Sequence, residues 1–366
     1  MLLMYGFVRE SWRASLAFVS VVVLTGAFSI VDADHHSKKS LPEPTLTFST
    51  IYTVGVLNGP EEEIFGRYQT IALATEGTLY VGDKDAREIR IFNEEGKYVK
   101  TIGREGQGPG EFMNLYSLAL SPEEDSLYVY DGAADRITVY STDRFKLERD
   151  FTVNVLNKGA SFKMYLIDSG LFMFVGYGGR GDELVHWGTM QGRHVHSFGQ
   201  LLQVDDPKYD TEFMRYQLNQ GVATEAEGGD IIVSLIAPYR MARFSAKGEL
   251  RWQIEDDILP KPWDGYITYT SENYRVGLYP QIASIDWLGN SKFLVTHYDI
   301  EKEEGFYDIR EASDGSLLAR HPFPVTQFIS SLLSREETSG LAAIKSIDPF
   351  PQFSVVHWKL ETNPQN

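Results

Sequence analysis

The chain has 366 residues and a formal net charge of −17, with 43% hydrophobic and 13% aromatic residues. This size suits one large folded domain, and 20 Tyr, 21 Phe and 32 Gly favour strands and turns over helices. The acidic balance argues against a nucleic-acid partner, because phosphate contacts depend on Lys and Arg. Cysteine is absent, which excludes disulfides, thiolate metal sites, cysteine nucleophiles and a lipid-modified cysteine.

The N-terminal segment is predicted to direct export. Two arginines precede an apolar run, ASLAFVSVVVLTGAFSIVDA, which ends in small residues before a polar stretch. This order is typical of a signal peptide cleaved after Ala33. Because the run is long for a signal core, an uncleaved membrane anchor is the alternative, and would be the only membrane contact. We therefore expect a periplasmic or extracellular protein with a signal or anchor at 1–33, a polar linker at 34–45 and one domain at 46–366.

Two similar segments follow the linker. Each contains an apolar strand, a turn, the strand Leu-Tyr-Val-x-Asp, a polar turn, an Arg-Ile-x-Val/Ile-Phe/Tyr strand and a fourth strand. The Leu-Tyr-Val-x-Asp strands, at 79–83 and 127–131, lie 48 residues apart. A four-stranded unit with about this period is typical of a propeller blade.

Weaker copies of the unit continue to the C-terminus, where the last one stops after three strands. The N-terminal segment 46–57 is a single predicted strand that would complete it. Joining the termini in this way removes an open sheet edge. The sequence therefore predicts an all-β fold, a six-bladed β-propeller of four-stranded antiparallel blades, with the ring closed by the N-terminal strand pairing with the last blade.

The segment KTIGREGQGPGEF, residues 100–112, is the strongest loop signal in the chain. Its four glycines match neither the dinucleotide nor the Walker phosphate pattern, and no helix pattern follows it. We interpret it as an interblade crossover, in which glycine allows the chain to pass close over neighbouring backbone.

Residues 65–150, including IGREGQGPGEF and YSLALSPEEDSLYVYDGAADRITVYS, resemble NHL-type repeats of exported bacterial six-bladed, TolB-like propellers. One position departs from that pattern: NHL repeats usually carry a Pro shortly after the crossover Phe, and this chain has Met-Asn-Leu-Tyr at 113–116. The resemblance implies the fold, and it implies no activity because one fold hosts many functions.

The candidate site lies on the propeller face that carries the crossovers and the turns between second and third strands. For an acidic chain, this face is predicted to be rich in Arg and Tyr, and guanidinium groups suit a carboxylate, sulfate or acidic sugar. We predict a monomeric recognition module, without a cofactor, that binds a protein partner or a small anionic ligand there. The candidate binding residues are Arg67, Tyr68, Arg104, Tyr116, Tyr177, Arg180, Arg215, Tyr216, Tyr239, Arg240, Arg275 and Tyr279.

Asp83 and Asp131 occupy equivalent places in the first two units, and two interpretations are open. They cap turns by accepting backbone N–H bonds, or they contribute with His297 and His357 to a metal site. The second follows from similarity to the metal-dependent lactonases and amidating lyases, propellers that hold a metal in the central channel. It implies a hydrolase or lyase with one divalent ion, calcium or zinc, that activates water or polarises a carbonyl.

Three further segments are predicted to lie on the same face. Long crossovers at 203–220 and 256–280 are rich in Tyr, Pro and charge, and either cover a pocket or pack on the ring. Residues 324–340 carry Phe328, Leu332 and Leu333 at helical spacing, which predicts a short helix on this face, in a position to shield the channel.

Overall fold

The protein is described by a computed structural model. It covers residues 43–66, 69–155, 163–167, 170–178, 181–203, 212–236, 240–255, 267–270, 273–276, 281–299 and 303–361. The predicted signal peptide and most of the predicted linker lie outside these residues.

Six four-stranded antiparallel sheets form the blades of a β-propeller, which confirms the predicted fold class. The first strand, β1 (Thr45–Val54), belongs to the last blade, and the other strands follow in chain order. Blade 1 contains β2 (Gln69–Leu73), β3 (Leu79–Asp83), β4 (Glu88–Phe92) and β5 (Tyr98–Ile102). Blade 2 contains β6 (Leu115–Leu120), β7 (Ser126–Asp131), β8 (Arg136–Ser141) and β9 (Leu147–Thr152).

The two middle blades are built in the same way. Blade 3 contains β10 (Met164–Ile167), β11 (Leu171–Val175), β12 (Glu183–Thr189) and β13 (His194–Gln200). A short helix, α1 (Glu212–Leu218), lies within the first long predicted crossover. Blade 4 contains β14 (Gly221–Glu225), β15 (Ile231–Leu235), β16 (Arg240–Phe244) and β17 (Leu250–Glu255).

The remaining strands form a separate hairpin and the last two blades. The hairpin, within the second long crossover, pairs β18 (Ile267–Thr270) with β19 (Asn273–Val276). Blade 5 contains β20 (Gln281–Gly289), β21 (Lys292–Asp299), β22 (Glu304–Glu311) and β23 (Leu317–Pro322). Blade 6 contains β24 (Gln327–Glu336), β25 (Ser339–Ser346), β26 (Gln352–Glu361) and, as its outer strand, β1.

The ring is closed by the predicted pairing of the two termini. Strand β1 runs antiparallel to β26, from Thr45 opposite Glu361 to Val54 opposite Phe353, with one register shift near Ile51. Leu46 is thereby buried in the core of blade 6. The N-terminal strand thus completes the last blade without a disulfide.

The Leu-Tyr-Val strands are apolar throughout because each blade is covered on both sides by its neighbours. Side chains alternate along a strand, so Leu79 and Val81 pack toward blade 6 while Tyr80 packs toward blade 2. All three side chains are buried. Burying a Leu or Val side chain contributes about 1.5–3 kcal/mol to the stability of the folded state. The repeated apolar strands therefore stabilise the packing of each blade against the next.

The predicted helix over 324–340 is wrong, because this segment is the inner strand β24 of blade 6. A register shift between Ile329 and Ser331 interrupts the two-residue alternation. The shift places Ile329 and Leu332, three residues apart, in the same core cluster. Phe328 lines the channel, while Leu332 and Leu333 pack in the cores on opposite sides of blade 6, so their helical spacing arises from a bulged strand and not from one face of a helix.

Residues 103–114 connect β5 to β6, as expected of the predicted crossover. Gly103 has a φ of +82°, and a Cβ there would lie 2.5 Å from Cε2 of Phe112, whose side chain is fully buried. Glycine is therefore required where the crossover packs against its own aromatic anchor.

Candidate ligand site in the central channel

The central channel is lined by the first strand of each blade and contains two cavities that share lining residues. We call the face that carries the crossovers and the turns between second and third strands the upper face. The upper cavity has a volume of about 440 Å³ and the lower one about 370 Å³. Ile71, Lys163 and Ser330 line both cavities, so they are successive parts of one channel.

Three lysines are associated with the upper part of this channel. Lys84 lies in the turn after β3, Lys163 immediately precedes β10, and Lys345 lies near the upper end of β25. The Lys84 Nζ atom is 4.1 Å from the centroid of the Tyr116 ring. Within the described part of the chain, none of the three ammonium groups forms an ion pair with a carboxylate.

The surroundings of Lys84 and Lys345 oppose their positive charge. Burial, together with the nearby Lys345 ammonium, lowers the pKa of Lys84 from 10.5 to about 8. Burial also lowers the pKa of Lys345, although the Asp83 carboxylate acts in the opposite direction. Both side chains are only partly exposed. The channel mouth therefore holds two ammonium groups that would be stabilised by an added anion.

Aromatic and amide side chains line the upper cavity together with Lys163 and Lys345. Tyr298 and Phe328 line the upper cavity and contact each other edge to face, with ring centroids 5.2 Å apart. Gln69 Nε2 donates to the Gly66 carbonyl, while Gln69 Oε1 is buried and has no hydrogen-bond partner among the described residues. The mouth thus combines positive charge, flat apolar surface and a free acceptor.

Asp83 forms the contacts that the turn-capping interpretation requires. Its Oδ2 accepts from the Gly66 N–H at 2.7 Å, and its Oδ1 accepts from Asp85 N at 3.0 Å and Ala86 N at 3.1 Å. The carboxylate therefore ties the turn after β3 to the crossover that enters blade 1.

Asp131 repeats this arrangement in blade 2. Its Oδ2 accepts from Met113 N at 2.7 Å, and Oδ1 accepts from the N–H groups of Asn114, Ala133 and Ala134 at 3.0–3.2 Å. Four backbone donors occupy its two oxygen atoms. The equivalence of the two aspartates in sequence thus reflects a repeated structural contact.

The two histidines proposed as metal ligands lie in different environments. His297 is buried in β21, and its Nε2 is 3.1 Å from Asp308 Oδ2. His357 lies within β26 rather than in a turn, opposite Ser49 and Leu341, and is exposed. Among the described residues, no group of three or more His, Asp or Glu side chains is arranged to hold a metal ion. The metal site stays a prediction.

Two of the predicted arginines are paired within their own structural units. Arg104 contacts Glu111 Oε1 through Nε at 2.9 Å and Nη2 at 2.7 Å. Arg240, at the start of β16, donates from Nη2 to Gln253 Oε1 at 3.0 Å, and its Nε is 3.4 Å from Glu255 Oε1. The Arg104 contacts stabilise the crossover and the Arg240 contacts stabilise blade 4. Each guanidinium therefore has fewer N–H groups available to bind a ligand.

The other predicted site residues are distributed as follows. Tyr116 lies beneath Lys84 and packs, like Tyr216 of α1, against the core between blades 2 and 3. Burial raises the pKa of Tyr116, with a further contribution from Tyr216. Arg215 lies in α1, and Tyr177 packs against the core between blades 3 and 4. Arg275 is described only by its strand position opposite Thr268, while Arg67, Tyr68, Arg180, Tyr239 and Tyr279 lie outside the described residues.

The three lysines were missed at the level of sequence. Lys84 follows Asp83 in the first repeat, at the position that Gly132 holds after Asp131 in the second. In an otherwise matching repeat, a lysine thus replaces a glycine at a turn beside the channel. This replacement was the one sequence signal that pointed to Lys84.

Comparisons with known proteins agree on the architecture. A family model described as a 6-bladed beta-propeller matches residues 35–197. A member of the duf4221 family from Bacteroides vulgatus has a TM-score of 0.59 at 10% identity, over 88% of this chain and 100% of that one. A candidate exported protein from Bacteroides fragilis has a TM-score of 0.52 at 11% identity, over 89% and 98%.

Virginiamycin B lyase from Staphylococcus aureus, in a catalytically inactive form with quinupristin, has a TM-score of 0.50 at 11% identity, over 87% of this chain and 100% of that one. No curated protein sequence matches the chain. No described helix is long and apolar enough to cross a membrane. At these identities the structural neighbours show the fold alone, and the chain is a six-bladed β-propeller whose neighbours differ in function.

Proposed function

We propose that the upper mouth of the central channel binds a small anionic ligand through Lys84 and Lys345. The observation that carries this proposal is the presence of two partly buried ammonium groups without a carboxylate partner among the described residues. In a protein of net charge −17, many carboxylates would have been available to pair with them.

Without a bound anion, keeping both lysines charged costs free energy. Burial disfavours both ammonium groups, and Lys345 further disfavours the charge on Lys84. An anion between them would replace repulsion by attraction, and an opposite charge at 4 Å is worth about 4 kcal/mol at an effective dielectric constant near 20. Charge-assisted hydrogen bonds from the two amines would also fix its orientation.

The remaining walls favour a small organic anion. A cavity of about 440 Å³ lies within the range of roughly 300–1,000 Å³ that is usual for small-molecule sites. Tyr298 and Phe328 offer apolar surface, and the free Gln69 Oε1 would accept a hydrogen bond from a ligand hydroxyl. These features support a carboxylate, such as an acidic sugar or hydroxy acid, over a bare inorganic ion.

The wider setting in this proposal is an exported, NHL-type or TolB-like recognition module. The signal-like segment at 1–33 and the repeat pattern of residues 65–150 support that setting. The Arg and Tyr residues predicted for the upper face, including Arg215 and Arg275, would then surround the mouth and guide anions toward it.

The test is a binding titration at low salt with glucuronate, citrate, sulfate and phosphate. We expect at least one organic anion to bind, and the variants Lys84→Met and Lys345→Met each to weaken it by about tenfold or more. Lys97→Met is the matched control, since Lys97 lies on an exposed turn and pairs with Glu95.

Two results would contradict the proposal. One is the absence of binding by every anion of the panel at low salt, where electrostatic attraction is strongest. The other is that Lys84→Met and Lys345→Met bind the anion with the same affinity as the control variant Lys97→Met.

A further inference from the structure

The lower part of the channel has the opposite charge from its mouth. Its cavity of about 370 Å³ is lined by Glu124, Glu225 and Asp286, together with Lys163, which also lines the upper cavity. The Glu124 carboxylate accepts from the Thr75 N–H and hydroxyl. A ligand that enters between the lysines therefore extends toward carboxylates.

Asp286, in β20, is the carboxylate best placed to receive a cation. Its Oδ2 accepts from the Ser284 hydroxyl at 2.7 Å, and no cation of the described residues forms an ion pair with it. Burial raises the pKa of Asp286, although the Lys163 ammonium and the Ser284 hydrogen bond act in the opposite direction. A ligand ammonium group would supply a direct ion-pair partner.

Tyr165 and Lys163 lie beside this carboxylate on one face of the chain entering β10. Tyr165 lines the lower cavity, and its Oη accepts from the Ala223 N–H at 3.0 Å, which leaves the hydroxyl proton to donate elsewhere. Lys163 Nζ is 5.2 Å from the Tyr165 ring centroid, and residues two apart on a strand point to the same side. The lower cavity is thus lined by a hydroxyl, a cation and a carboxylate.

We propose that the ligand of this channel is a zwitterion, with its anionic end at Lys84 and Lys345 and an ammonium group at Asp286. The compounds of this class are amino acids, ω-amino acids and amino-sugar acids. The inference rests on the proposed anion site and adds to it the second charged end of the ligand.

The arrangement also predicts a proton exchange on binding. Burial raises the pKa of Asp286 in the free protein and so favours its protonated form. An ammonium group beside it would favour the ionised form, so binding of a zwitterion would release a proton. A ligand without an amine would not cause this release.

The experiment compares pentanoate, ω-aminopentanoate and pentylamine, together with shorter and longer homologues, by calorimetry in two buffers of different ionisation enthalpy. We expect the ω-amino acid of suitable length to bind at least about tenfold more tightly than the matching carboxylate, with proton release. The variant Asp286→Asn should bring the ratio of these two Kd values close to one and abolish the release. Asp314→Asn, in an exposed turn of the same blade, is the control and should keep both effects.

The outcomes separate this inference from the proposed function. If the carboxylates bind but the amine adds no affinity at any chain length, or if the added affinity survives in Asp286→Asn, the zwitterion inference is overturned while the anion site stands. If neither the carboxylates nor the ω-amino acids bind, both are overturned.

Discussion

Blade 5 and the channel mouth both contain buried charged groups, but only those in blade 5 form ion pairs with each other. In blade 5, Asp308 accepts from Arg320 at 2.7 and 2.8 Å, and lies 3.1 Å from His297 and 3.3 Å from Arg310. Arg310 also donates to the Gly315 carbonyl at 2.8 Å. At the mouth, Lys84 has an aromatic ring and a second lysine as neighbours.

The pKa values follow this difference. Burial alone would raise the pKa of Asp308, but hydrogen bonds from Arg320 and His297 outweigh it and hold the pKa well below its usual range. Burial lowers the pKa of His297, against the opposing effect of the Asp308 carboxylate. Removing one partner from a buried ion cluster is costly, whereas buried charges without a carboxylate partner favour a ligand of opposite charge. His297 is therefore better explained as a structural residue.

The largest expected effect comes from breaking the blade 5 cluster. Asp308→Asn would leave two arginines without their carboxylate, and we expect the free energy of unfolding to fall by about 3–5 kcal/mol. Urea denaturation measures this loss, with Asp314→Asn as the control. Equal stability of the two variants would show that the cluster is not structural.

The same variant has an expected pH dependence. Since the pKa of Asp308 is lowered in the folded state, its contribution to stability is present above the usual Asp pKa and is lost as pH falls through the folded-state value. The wild type should therefore lose more stability between neutral and strongly acidic pH than Asp308→Asn. Parallel curves for the two proteins would contradict the assignment.

A smaller and opposite effect is expected at the mouth. Lys84→Met removes a buried ammonium group and its repulsion from Lys345, so we expect the free energy of unfolding to rise by about 1 kcal/mol. Thermal and urea denaturation measure the change, and Lys97→Met should leave stability unaltered. Marked destabilisation by Lys84→Met would mean that Lys84 holds the fold and would remove the contrast between the two regions.

The smallest expected effect is the pH dependence of anion binding. Lys84 loses its charge as pH rises through about 8, so anion affinity should fall severalfold across that range. Between pH 8 and 10.5 the unfolded chain binds more protons at this residue, so the wild type should also become slightly more stable as pH rises. Titrations at several pH values would check this, and a Lys84→Met variant that shows the same decrease in affinity would contradict it.

The fold was largely accessible from the sequence, because the Leu-Tyr-Val strands repeat and the termini leave one blade incomplete. The exception was β24, whose bulge at Ser330 produces helical spacing that periodicity cannot distinguish from a helix. The site was less accessible. Arg104 and Arg240 were expected to face a ligand, but they have partners nearby in their own segments. Which cations lack partners depends on three-dimensional neighbours, and one sequence does not contain that information.

The pairing of β1 with β26 also limits when the propeller ring can close during folding. Thr53 Oγ1 and Ser354 Oγ lie 2.8 Å apart although 301 positions separate them in the chain. During synthesis β1 emerges before any blade, yet its partner is among the last strands made. Until then the β1 edge and the apolar side chain of Leu46 lack their final partners, and such exposed edges favour slow folding and misassembly. The contact that closes the ring is therefore among the last that the growing chain can form.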